Sequence, residues 1–206
     1  MHQTSTNAPD QGWYNQNGTH NPSNINYLVG ESNGTEFRNF FTFDLSSFGS
    51  ITNATLRVYL LDSPPAADVG YDSNDPFETW SLWDVATPID TITSGSAGVA
   101  GFNDLGSGTS YGSVNVTASD MGSYVEVDLN AAALASMNSA SDMWALGGSI
   151  TTLTLGLSDE EVFAYSHQDA RVELVVQEGS VPEPSSLALL SLGLAGIGLS
   201  RRRKAA

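Results

Sequence analysis

Asp72, Asn74, Asp75 and Glu78 place four hard oxygen donors within the short stretch YDSNDPFE. Carboxylate and amide oxygens crowded into one loop are what Ca²⁺ prefers, although the spacing departs from D-x-[DN]-x-[DN]-G, and a solvated acidic loop is the plain alternative. Asp159, Glu160 and Glu161 in LSDEEVF carry the same ambiguity. No other cofactor is expected. A second chemistry belongs to the aromatics. In TWSLWDV, Trp80, Leu82 and Asp84 share one face of an extended chain, and Trp83 shares the opposite face with Thr79, Ser81 and Val85. Trp83, Trp13, Tyr71 and Tyr111 are candidates for stacking on the C–H face of a neutral sugar, with ordinary packing as the alternative. Catalysis has less to work with. His2, His20 and His167 lack the spacing of a zinc pair, there is no cysteine, and no phosphate-cradling glycine loop occurs. Paired carboxylates could cut glycosidic bonds, but a sequence cannot bring two acids to the required separation. An enzyme is not expected.

The third chemistry is that of an address. Residues 181–206 read VPEPSSLALLSLGLAGIGLSRRRKAA. Residues 185–200 carry no charge and include Leu187, Leu190, Leu192, Leu194, Ile197 and Leu199. As a helix they would span roughly 24 Å, short for a hydrocarbon core of about 30 Å but workable if flanking arginines snorkel. Arg201, Arg202, Arg203 and Lys204 form a basic stop that stays cytoplasmic, placing the rest of the chain across the membrane. Such a topology calls for an export signal. The opening MHQTSTNAPDQGWY lacks a charged start and an apolar stretch, so the expectation is a start assigned downstream of the true one.

What must position these residues is a β-rich body. The 206 residues have 40% hydrophobic and 9% aromatic content, enough for one core of ordinary size. All 23 carboxylates fall at or before Glu183 against only three arginines in that span, a net of −20. Phosphate backbones and anionic headgroups would be repelled, so nucleic acid is excluded as a partner. From residue 26 onward apolar residues recur with period two between Gly, Asn, Asp, Ser and Pro clusters. Leu56, Val58 and Leu60 take one face against Thr55, Arg57 and Tyr59. Val125, Val127 and Leu129 oppose Glu126 and Asp128. Further strands are expected at 37–43, 79–85, 113–117, 153–157, 162–165 and 172–176. One short helix follows Asn130, a good N-cap. The expected fold class is all-β, an antiparallel β-sandwich of jelly-roll-like form with one short helix, plus a C-terminal single transmembrane helix. The divisions are a polar segment at 1–25, the sandwich at 26–178, a linker with Pro-Glu-Pro at 179–184, and the apolar helix with its basic tail at 185–206.

Pro182, Glu183 and Pro184, followed by the apolar run and the basic cluster, resemble the PEP-CTERM sorting signal of Gram-negative bacteria that make extracellular polysaccharide. That resemblance implies an exosortase-type membrane protease or transpeptidase as partner, transient anchoring by the tail, and delivery to the outer surface or an extracellular matrix. More weakly, RNFFTFDLSSFGSITNATLRVYL, VEVDLNAAALASMN and VFAYSHQDARVELVV are similar to DNRLRE-type or disaggregatase-related modules, sandwiches that include carbohydrate-binding members. The expected function is an exported, non-catalytic cell-surface or matrix protein. The alternatives are a carbohydrate-binding module for exopolysaccharide and, third, a glycan-cleaving enzyme.

Overall fold

The computed structural model describes residues 2–62, 70–154, 156, 159–163 and 171–179. Along these the elements run β1 (His2–Asn7), β2 (Gln11–Asn15), β3 (Val29–Ser32), β4 (Thr35–Asp44), β5 (Ile51–Leu60), β6 (Tyr71–Asp72), β7 (Glu78–Asp84), α1 (Ile89–Thr93), α2 (Gly98–Asp104), β8 (Ser110–Val116), a 3₁₀ turn (Ala118–Asp120), β9 (Ser123–Asp128), α3 (Ala131–Ser139), β10 (Met143–Ile150), β11 (Glu160–Val162) and β12 (Val172–Glu178). The result is the expected antiparallel sandwich. One sheet has the order β1-β12-β5-β9, and the other β6-β11-β3-β4-β10-β7-β8 with β2 added to β4.

β4 forks the larger sheet. Phe37 pairs with both Asn15 and Gly30, and Asn39, Phe40 and Phe41 pair with both β2 and β10. A residue with two partners has one on each side, so β2 takes one edge of β4 while β3 and β10 share the other. Its alternation then serves two cores. Phe41 and Phe43 point between the sheets with Leu56, Val58, Leu60, Trp80, Leu82, Val125 and Val127, all buried. Phe40 points outward and would lie in water without a cover. Tyr14, Ile92, Phe102 and Leu105 close over it as a second, smaller core. This explains why the stretch between β7 and β8 folds into α1 and α2: the apolar outer face of β4 needs a lid.

The predicted helix after Asn130 is α3, and the cap works as expected, the Asn130 side chain accepting from the N–H groups of Ala132 and Ala133. Asn138 then ties the helix to β5, accepting from Ile51 N–H and donating to Ile51 C=O, both at 2.8 Å. Trp144 Nε1–H donates to Ser136 Oγ at 3.1 Å, joining α3 to β10.

Three expectations are corrected. The helices number three among the described residues rather than one. The sandwich, expected at 26–178, also takes in strands from the polar segment 1–25: β1 pairs along β12 and β2 along β4. The strand expected at 153–157 is absent at the described positions there, and β10 runs instead from Met143 to Ile150. Gly147 and Gly148 hide that strand from a propensity reading. Their reason is close approach. A Cβ on Gly147 would lie 2.6 Å from Leu105 Cα, where the end of α2 packs onto the sheet.

Candidate functional site

Two places gather chemistry. The first lies where β3, β6, β7 and β11 meet. β11 brings Glu160 directly opposite Glu31 on β3. The turn from β6 into β7 brings Asp75 and Glu78, and carboxylate oxygens of Asp75, Glu78 and Glu160 all lie within 4.8 Å of one another. Glu78 is 0% exposed, while Glu160 and Glu31 are each 3% exposed. Neighbouring donors hold them. Ser73 Oγ–H donates to Glu78 Oε1 at 2.6 Å, Thr152 Oγ1–H to Glu78 Oε2, Thr154 N–H to Glu160 Oε2 at 2.7 Å, and Gly156 N–H to both Glu31 oxygens at 3.0 Å. Among the described residues no arginine pairs with them, since Arg38 binds Glu36 and Arg57 binds Glu126 and Glu173.

Burial pushes the Glu160 carboxyl above its ordinary range, and the charges of Glu78, Asp75 and Glu31 add to that push against the Thr154 N–H, which opposes it. The oxygen donors are of the kind Ca²⁺ takes. Both Glu78 oxygens and one Glu160 oxygen accept hydrogen bonds from protein donors, and a proton on Glu160 would relieve part of the remaining repulsion. A raised folded pKa means that the folded state binds the proton more tightly than the unfolded chain. Glu160 therefore stabilises most at low pH, and that contribution is lost as pH rises through its folded pKa. Glu160→Gln is expected to flatten the rise in melting temperature as pH falls from neutral towards the ordinary carboxylate range, relative to the unmodified chain. Identical pH profiles for the two proteins in scanning calorimetry would refute this. Of the expected set, Asp75 and Glu78 join the cluster. Asp72 and Asn74 do not: Asp72 pairs in the ladder with Glu161, and Asn74 stays in the exposed turn.

The aromatic candidates divide by burial. Trp83 is half-buried on the outer face of β7, its indole N–H donating to Ser149 Oγ at 2.9 Å. Trp13 is half-buried on β2, edge-on to Phe37 at 4.9 Å. Tyr71 and Tyr111, by contrast, are only 7% and 3% exposed. Tyr71 spends its hydroxyl on Asp75 C=O at 2.9 Å, and Tyr111 stacks on Trp144 at 5.7 Å. Both belong to the main core and offer no ring face to a ligand, so as sugar-stacking residues they are corrected. His20 packs against Tyr14 at 4.9 Å, its Nδ1 at 2.9 Å from Trp13 C=O, which makes it a packing residue.

The second place escaped sequence reasoning: the outer face of the four-stranded sheet. Register sets Arg57 directly between Glu126 on β9 and Glu173 on β12. Its Nε–H donates to Glu126 Oε1 and its Nη1–H to Glu173 Oε2, each at 2.8 Å. The guanidinium lies 4.3 Å from the Tyr124 ring centre. Tyr124 O–H donates to Glu173 Oε1 at 3.2 Å, Tyr59 meets Tyr124 edge-on at 5.4 Å, and Arg171 sits 4.8 Å over Tyr59. Beside this network is a shallow groove of about 190 Å³ lined by Thr55, Arg57, Glu126 and Val175. The outward alternation of Thr55, Arg57 and Tyr59 was legible beforehand. Their partners on β9 and β12 were not, because register joins stretches far apart in the chain.

The sorting residues Pro182, Glu183 and Pro184, the apolar positions Leu187, Leu190, Leu192, Leu194, Ile197 and Leu199, and the basic stop Arg201, Arg202, Arg203 and Lys204 lie outside the described residues. So does the expected transmembrane helix. No helix among the described residues is long and apolar enough to cross a membrane. A protein-family model described as the PEP-CTERM protein-sorting motif matches residues 180–204. None of the curated proteins matches the chain. The PEP-CTERM motif marks the chain for export, for membrane anchoring by its C-terminal sorting signal and for exosortase as the processing partner.

Proposed function

We propose that this chain is a non-catalytic protein of the cell surface or extracellular matrix, carried to its place by the signal at 180–204. The observation that carries this reading is that match, in which Pro-Glu-Pro, an uncharged apolar run and a basic cluster follow one another in order. The burial of the clustered acids supports the non-catalytic part. Glu78 and Glu160 are close enough to cooperate, but at 0% and 3% exposure they leave no room for a sugar ring between them and solvent. The test is to express the chain in a host with its exosortase and in the same host lacking it. Loss of the enzyme should leave an intact precursor in the membrane fraction and deplete the protein from the surface and medium. An unchanged distribution overturns the proposal.

A second reading, a binding module for exopolysaccharide, rests on a different observation. Half-buried aromatic rings lie beside hydrogen-bonding side chains on outward sheet faces, the combination that neutral sugars require.

A further inference from the structure

Building on the carbohydrate-binding reading, we infer that the ligand face is the outer surface of the four-stranded sheet, centred on Arg57, Glu126 and Tyr124, and that it takes a neutral polysaccharide. The Trp83 face, where the indole N–H donates to Ser149 Oγ, is the rival location.

Three features carry the inference. First, the groove is lined mainly by polar groups with some apolar contact beside them. The Val175 side chain and the Thr55 methyl offer contact to C–H groups, while the Glu126 carboxylate accepts and the Arg57 guanidinium donates, which matches a pair of adjacent hydroxyls. Second, aromatic surface continues along the strands from the groove. Tyr59 stands two residues from Arg57 on β5, roughly 7 Å along the strand, and Tyr124 stands beside it on β9, so successive sugar rings of an extended chain would meet the groove and then a tyrosine. Third, the face is organised before any ligand arrives. Arg57 is held by two carboxylates and a ring, and Tyr124 by Glu173. Exposed ion pairs of this kind add little to stability. Their effect is to immobilise long side chains in advance, which lowers the entropy lost on binding.

Charge decides the class of ligand. The stretch up to residue 184 carries a net −20, so a uronate-rich or sulfated chain is repelled at long range. Within the face, Glu126 and Glu173 both pair with Arg57 while Arg171 lies over Tyr59, so two carboxylates stand against two guanidiniums and no surplus of positive charge is left to hold an anion. A small groove of this volume fits the edge of a sugar ring and leaves the chain lying across the sheet.

The test is native affinity electrophoresis of the full chain in detergent, through gels containing dextran, galactomannan or xylan, with alginate as the anionic comparison. Retardation by at least one neutral polymer is expected, weakened about tenfold or more by Tyr124→Ala and by Glu126→Ala. Glu126 has a 55% exposed side chain, so its replacement should leave the melting temperature unchanged and separates loss of binding from loss of fold. No retardation in any neutral gel overturns both this face and the carbohydrate reading. Retardation that survives both substitutions but disappears in Trp83→Ala keeps the carbohydrate reading and overturns this face. Stronger retardation by alginate overturns the neutral ligand class.

Discussion

Replacing Pro182, Glu183 and Pro184 together by alanine is expected to abolish processing, leaving nearly all of the protein as an intact, membrane-held precursor in a host that has the exosortase. The argument runs through backbone conformation. Proline holds φ near −65° and offers no N–H, and a residue that precedes proline is turned away from the helical region. Val181 and Glu183 both precede a proline, so these restrictions fall on consecutive residues of the motif, just ahead of the uncharged apolar run. An extended segment exposes its backbone and alternate side chains to a processing enzyme. Alanine removes every one of these restraints and has the highest helix propensity of the residues. The apolar residues and the basic stop are untouched, so membrane insertion and orientation should persist. Precursor should therefore accumulate in the membrane rather than disappear. Immunoblots of membrane and extracellular fractions report the outcome, and normal processing of the triple variant would sink the assignment of this motif.

The second large effect is expected from one methyl group. Gly148 lies in β10 with its inward face against the buried pair Asn39 and Trp80, both 0% exposed. A Cβ there would fall well inside van der Waals contact of both Asn39 Oδ1 and Trp80 Nε1. Those atoms are themselves bonded, Trp80 Nε1–H donating to Asn39 Oδ1 at 3.4 Å while Asn39 Nδ2–H donates to Tyr27 C=O at 3.0 Å. Neither side chain has space to retreat, because Phe41 and Phe163 pack edge-on against Trp80 at 6.2 and 4.7 Å. Overpacking of a tight core costs about 1–3 kcal/mol, and leaving a buried polar group unsatisfied costs about 1–3 kcal/mol more. Gly148→Ala should thus lower the melting temperature by roughly 5–20 °C for a domain of this size. Gly49→Ala is the control, since its Cβ would meet only the flexible end of Glu178 at 3.2 Å. Calorimetry showing the two variants equally stable would refute this account of the glycine.

These cases mark where sequence patterns suffice. Alternation placed Leu56, Val58, Leu60, Val125, Val127 and Leu129 inward, and all six are buried. Asn130 announced α3 because a cap acts over three residues. Both signals are local. β10 escaped because Gly147 and Gly148 answer to Leu105, Asn39 and Trp80, none of them near in the chain. α1 and α2 escaped because their cause is an apolar strand face at Phe40. The candidate sites divide in the same way. YDSNDPFE was visible as a run of acids, but buried Glu78 and exposed Asp75 close on Glu160, which strand pairing sets opposite Glu31.

By itself, the sequence determined the antiparallel sandwich, the faces of its regular strands and the signal at 180–204, because alternation, caps and an ordered motif are properties of neighbouring residues. Only the tertiary structure decided which polar groups act together. It buried Tyr71 and Tyr111, gathered Glu31, Glu78 and Glu160 from three strands beside Asp75 in a turn, and set Arg57 between Glu126 and Glu173. The physical reason is that register and sheet stacking, which create such neighbours, depend on the whole chain folding at once.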